Sequence, residues 1–298
     1  MRNLRLALTI VAVLFFSPIS HLLADDPQSP SSSLYSQSAA QAVTHALAEC
    51  DQRGSRMDEL CSQRDNLSYL LLDAHSGSIL ASNWRDANIP IPLGSLVKPF
   101  AALAYGEKHQ FKYPVHLCRG TASGCWLPRG HGRIGLQSAI ANSCNSYFRM
   151  LTRDMTAADV QPIVSTFGLQ PPDAGSSGAD LAGLGGQWLI SPVTMAHAYV
   201  ELSRRSDQPG VRAILAGMAQ SARSGTGAEV DRQLLHSTAL VKTGTAPCTH
   251  AKRAPGDGFV ITMVPAARPE VLLMVRVHGT PGSHAAKVAG ELLHRIEP

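Results

Sequence analysis

Along residues 68–82 the chain runs extended and largely apolar, turns at His75-Ser76-Gly77 and runs extended again, which predicts a β-hairpin. After Gly94 the apolar positions recur every three to four residues from Leu96 to Tyr105, so a helix is expected to begin near Ser95. The same recurrence predicts helices over 135–151, 157–167, 192–204 and 211–222, with a short one within 41–60. Residues 239–245, 258–264 and 271–278 are apolar runs of strand length, and 283–296 is amphipathic with helical spacing. Strands at both ends of a helical block predict a mixed α+β fold. Its central antiparallel sheet would be flanked by helices and carry a mostly helical subdomain. Residues 25–40, rich in Ser, Pro, Gln and Asp, read as a flexible tether.

Composition narrows the class. A chain of 298 residues, 44% hydrophobic and 16% charged, can bury a large core without staples and resembles neither a disordered nor a fibrous sequence. Its 26 Lys and Arg against 22 Asp and Glu are scattered, so no nucleic-acid surface is expected. Arg2 and Arg5 precede an apolar stretch that ends in Leu22-Leu23-Ala24, the pattern of a secretory signal. Because Leu22 is not a small residue, an uncleaved anchor over residues 6–19 is the competing reading, and only then would the protein touch a membrane. The expected organisation is therefore 1–24 signal or short anchor, 25–66 tether and short helical lead-in, and 67–298 main folded domain. That places the protein in the periplasm or extracytoplasmic envelope.

All six cysteines follow the signal, and an oxidising compartment favours disulfides. Cys50 with Cys61, and Cys118 with Cys125, are the local pairings. Cys118, Cys125 and His131 could also serve zinc, but their spacing fits no common site and export favours oxidation, so no metal and no cofactor is expected. Cys144 reads as a packing residue, with a redox-responsive disulfide to Cys248 as the sharper alternative. Trp188 reads as core rather than cleft. His131, His250, Arg129 and Arg133 lie near the motifs below, with surface or structural roles as the default.

Three short strings carry the chemistry. Ser95-Leu96-Val97-Lys98 puts a hydroxyl and an amine on one helical face, where a desolvated lysine can take the serine proton. Ser143-Cys144-Asn145 adds a second hydroxyl to relay a proton and an amide to bind a substrate amide. Lys242-Thr243-Gly244-Thr245, on a predicted strand, joins a cation and hydroxyls to a glycine that lets a ligand approach the backbone. Each pattern is common alone, but here each occurs once, in the order typical of serine β-lactamases and penicillin-binding proteins.

Residues from about 68 to 295 accordingly resemble the transpeptidase domain of penicillin-binding proteins. The likeness extends to Gly94 through Phe100, to Ser143 through Phe148, to Ser191-Pro192 and to Ala198-Tyr199. The resemblance implies that Ser95 attacks the carbonyl of a D-Ala-D-Ala peptide with Lys98 as base. Ser143 would return the proton to the leaving D-alanine and Asn145 would hold the substrate amide. Lys242, Thr243, Gly244 and Thr245 would bind the terminal carboxylate, and the N–H groups of Ser95 and Thr245 would form an oxyanion hole. It also implies peptidoglycan stem peptides as substrate, β-lactams as covalent inhibitors and a separate glycosyltransferase partner. The 99 residues from Ser143 to Lys242 suit class D β-lactamases as well, although those enzymes usually carry Val where Asn145 stands. A β-lactam sensor domain is a third reading, and a non-catalytic scaffold a fourth.

Overall fold

The computed structural model describes residues 30–53, 59–248 and 256–297; the expected signal and His250 lie outside the described residues. Nine strands occur there: β1 Leu67–Asp73, β2 Ile79–Ser82, β3 Ile91–Pro92, β4 His116–Cys118, β5 Gly132–Ile134, β6 Leu189–Ile190, β7 Leu240–Ala246, β8 Asp257–Val264 and β9 Val271–His278. Five of them form one antiparallel sheet in the order β2-β1-β9-β8-β7, which leaves β7 at an edge.

Period-two alternation assigns the two faces of this sheet. Val271, Leu273, Val275 and Val277 of β9, with Val260 of β8, face the Gly282–Ile296 helix and bury Ala285, Val288, Ala289 and Leu292. Leu272 and Met274, with Phe259, Ile261 and Met263, face the helical subdomain instead. Thr262, fully buried, satisfies its hydroxyl by donating to the Leu273 carbonyl at 3.1 Å.

The amino-terminal lead-in departs from the expected tether over residues 30–40, which continue the helix expected within 41–60. Residues Pro30–Arg53 form one helix, because Ala39, Val43, Ala46 and Cys50 make a buried stripe of helical period that docks on the carboxy-terminal helix and β2. The expected Cys50–Cys61 disulfide is present and ties this helix to the Glu59–Ser62 turn. Among the described residues no helix is long and apolar enough to cross a membrane.

On the other face the helix Lys98–Lys108 runs through the centre of the subdomain. Phe100, fully buried, meets Tyr199 and Phe167 edge-on at 5.4 and 5.3 Å. Tyr199, on the expected Pro192–Arg204 helix, also donates its hydroxyl to the Leu96 carbonyl at 2.8 Å. Tyr199→Phe leaves that carbonyl without its donor, a loss of about 1–3 kcal/mol. Thermal melting is expected to drop by several degrees, with any change in Ser95 acylation reporting how far that turn relaxes.

Candidate active site

The segment that carries Ser95 opens with a left-handed Gly94, φ +55°, and continues as a 3-10 turn, Gly94–Val97, before the α-helix begins at Lys98. Glycine is required there. A Cβ would stand 2.2 Å from the Thr245 carbonyl oxygen, so only glycine lets this turn rest directly on β7. Ser95 is nearly buried beside that contact.

The predicted 135–151 helix is in fact two, Leu136–Ala141 and Asn145–Thr152, broken at Asn142-Ser143-Cys144. Ser143 is left-handed at φ +47°, a conformation that costs a non-glycine residue about 1–2 kcal/mol and must be held by its surroundings. The Cys144 amide donates to the Ala139 carbonyl at 3.0 Å, and the half-exposed Trp126 donates from Nε1 to the Asn142 carbonyl at 3.1 Å. The break turns Ser143 Oγ and Asn145 Oδ1 inward.

Both lysines converge on that break. Lys98 Nζ donates to Asn145 Oδ1 at 2.6 Å, to the Ser143 carbonyl at 3.1 Å and to Ser143 Oγ at 3.5 Å. Lys242 Nζ donates to Ser143 Oγ at 2.9 Å and to the Thr243 carbonyl at 2.6 Å. Among the described residues no hydrogen bond joins Lys98 to Ser95, so the expected serine–lysine contact gives way to one between the lysine and the second motif. Both lysines are fully buried. Burial brings Lys98 down to about 7, partly opposed by the Cys144 and Cys125 thiols. Burial, then repulsion from Lys98, holds Lys242 well below the ordinary lysine range.

The edge strand supplies the rest. Thr243 and Thr226 hydroxyls lie 2.6 Å apart, and Thr245 Oγ1 accepts from the Gly282 amide at 3.0 Å. Ser95, Ser143, Asn145, Thr243, Gly244 and Thr245 line one cleft of about 800 Å³, with Lys98 and Lys242 in its floor. All eight predicted site residues therefore meet in one place. Trp126 and Thr226 had no signal in the sequence, and Tyr199 entered it only through the likeness at Ala198-Tyr199, because each acts through a partner elsewhere in the chain.

The remaining cysteines overturn one expected pairing and one alternative. Cys118 and Cys125 are not bonded to each other, and Cys144 is not bonded to Cys248. Cys248 stands instead beside Asp257 and His278, whose own contact is 2.9 Å. Cys118, Cys125 and Cys144 gather around His131 beneath the second motif, so Cys144 is buried as expected but in polar company. Burial disfavours the Cys118 thiolate, yet backbone groups of His131 and Gly120 bonded to its sulfur bring the thiol down to about 6. Trp188 is core, donating to the Gln170 carbonyl at 2.8 Å, and Arg129 and Arg133 are exposed.

Residues 67–296 match the penicillin binding protein transpeptidase domain. The chain belongs to that family. Solved structures agree on the fold. Penicillin-binding protein 2 of Pseudomonas aeruginosa, in complex with WCK 5153, superposes with a TM-score of 0.67 at 16% identity, over 87% of this chain and 73% of that one. The transpeptidase domain of Burkholderia pseudomallei penicillin-binding protein 3 gives 0.63 at 15% identity, over 89% and 92%. Penicillin-binding protein 2 of Helicobacter pylori, in complex with MreC, gives 0.65 at 16% identity over 78% of this chain and 61% of that chain. This chain thus spans about three-fifths of the Helicobacter protein's length. No curated protein matches it in sequence. A transpeptidase-domain chain of this kind is a penicillin-binding-type serine acyl-transferase, and the expected fold class holds.

Proposed function

We propose that this protein is an exported D,D-acyl-transferase in which Ser95 forms an acyl-enzyme with D-Ala-D-Ala stem peptides of peptidoglycan. The observation that carries the reading is the convergence of Lys98 and Lys242 on Ser143 Oγ in the cleft that Ser95 lines. Ser95 Oγ bonds to the penultimate D-alanine carbonyl carbon while Lys98 takes its proton. Ser143, held between the two lysines, passes a proton to the departing D-alanine nitrogen as the C–N bond breaks. An amine of a second stem peptide then takes the acyl group, which completes transpeptidation. The edge of β7, which has no second strand partner among the described residues, suits an extended peptide added as a further strand, with Thr243 and Thr245 toward its carboxylate. The N–H groups of Ser95 and Thr245 serve as the oxyanion hole.

Asn145 weighs against a class D-type β-lactamase. Its Oδ1 at 2.6 Å from Lys98 Nζ makes the lysine's surroundings polar, where an apolar pocket would favour carbamylation. The test is intact-mass measurement of residues 25–298 with benzylpenicillin. One adduct that persists for hours and is missing from Ser95→Ala supports the reading. Clearance within seconds while penicillin is consumed makes it a β-lactamase, and no adduct on the native chain overturns the assignment.

A further inference from the structure

Three buried thiols and an imidazole nitrogen meet under the second motif, drawn from four separate places in the chain. Cys118 ends β4, Cys125 lies in the following loop, His131 precedes β5 and Cys144 is the middle residue of the Ser143-Cys144-Asn145 break. Their ligand atoms all lie within 4.8 Å of one another. Cys125 Sγ is 3.7 Å from Cys144 Sγ, and His131 Nδ1 is 3.5 Å from both Cys118 Sγ and Cys125 Sγ.

Those three separations match edges of a tetrahedron around a metal. With Zn–S bonds of about 2.3 Å and a Zn–N bond of about 2.0–2.1 Å, tetrahedral geometry sets S···S edges near 3.8 Å and S···N edges near 3.5 Å. A sulfur–sulfur distance of 3.7 Å is far beyond a disulfide bond. The set is also chemically coherent, since three thiolates and one imidazole form a soft, closed donor set that suits zinc and not calcium or magnesium. The thiols are 0–5% exposed, which shields such a site from water and from competing thiols.

We propose that Cys118, Cys125, His131 and Cys144 bind one zinc ion, which fastens the β4–β5 hairpin to the second catalytic motif. On binding, three S–H bonds give up their protons and four bonds form to the metal, from three thiolates and the Nδ1 lone pair, with the His131 proton kept on Nε2. Because Cys144 lies between Ser143 and Asn145, the ion fixes the backbone on which both depend, including the left-handed turn at Ser143. These four are positioning residues; none touches the reacting atoms. Zinc binding stands independently of the proposed acyl transfer, whereas its effect on acylation rests on that reading.

The test uses residues 25–298, exported to an oxidising compartment in zinc-supplemented medium. Elemental analysis is expected to find about one zinc per chain, retained in Ser95→Ala and Cys248→Ser and lost in Cys118→Ser. Replacing zinc by cobalt in the native chain should give thiolate charge-transfer bands and the visible absorption of a tetrahedral site, a readout independent of whether any variant folds. Less than about 0.1 zinc per chain, or peptide mapping that finds a disulfide among these cysteines, would overturn the site. Removing zinc is expected to slow acylation by benzylpenicillin at least about tenfold, reversibly on adding zinc back. Full zinc with unchanged acylation after its removal would overturn the positioning role. A zinc-loaded chain that never acylates counts against the proposed function, not against the metal site.

Discussion

Lys98→Met is expected to slow acylation of Ser95 by benzylpenicillin by about 10²–10⁴-fold while the protein stays folded, measured with a fluorescent penicillin alongside thermal melting. Methionine keeps roughly the volume of the lysine stem, so the fully buried site closes without a cavity. The substitution leaves Asn145 Oδ1 and the Ser143 carbonyl without their donor, but it also removes a cation that burial disfavours. These effects oppose each other, and the melting temperature should change little. The rate behaves differently, because in the proposed reaction Lys98 is the group that takes the Ser95 proton. The pH profile follows from the same group. A base must be neutral to act, and burial brings Lys98 down to about 7. In the native protein acylation should therefore fall about tenfold per pH unit below that value and level off above it. Acylation of Lys98→Met within about threefold of native would remove the lysine from the base role.

The sheet and most helices were legible because burial writes its period into the sequence: β9 alternates between two covered faces, and the Pro192–Arg204 helix repeats every three to four residues. The catalytic strings were legible for a different reason, since reactive residue types at short fixed spacing need no knowledge of the rest of the fold. Three features were not. The break at Ser143 interrupts an apolar pattern that reads as one helix, and it contains no glycine or proline to announce it. What holds it is Trp126 and the cysteine cluster, both distant in sequence. The helix over Pro30–Arg53 begins in residues of weak helical preference, and its buried stripe makes sense only once the carboxy-terminal helix and β2 are there to cover it. The cysteines misled for the same reason. Cys118 and Cys125 are neighbours in the chain, so a local disulfide was the economical reading, yet their shared partners are His131 and Cys144. Contact between segments that are far apart along the chain leaves no local pattern to read.

Two glycine substitutions separate backbone strain from steric contact. Gly94 and Gly168 are both left-handed, at φ +55° and +64°, so alanine at either costs about 1–2 kcal/mol in conformation alone. Around Gly168, at the end of the Ala157–Phe167 helix, a Cβ meets nothing within 4 Å. Gly168→Ala should therefore lower the melting temperature by about 2–8 °C and leave acylation untouched. At Gly94 the added Cβ lies 2.2 Å from the Thr245 carbonyl oxygen, and a backbone atom cannot swing aside as a side chain can. Either β7 or the Ser95 turn must move. That shift separates Ser95 from Thr245, the two residues whose N–H groups are proposed to stabilise the oxyanion. Misplacement of about 1 Å is enough to lose 10²-fold in rate, so Gly94→Ala should acylate at least that much more slowly and melt below Gly168→Ala. If the two variants melted alike and acylated alike, close contact between the nucleophile turn and β7 would not be what places Ser95.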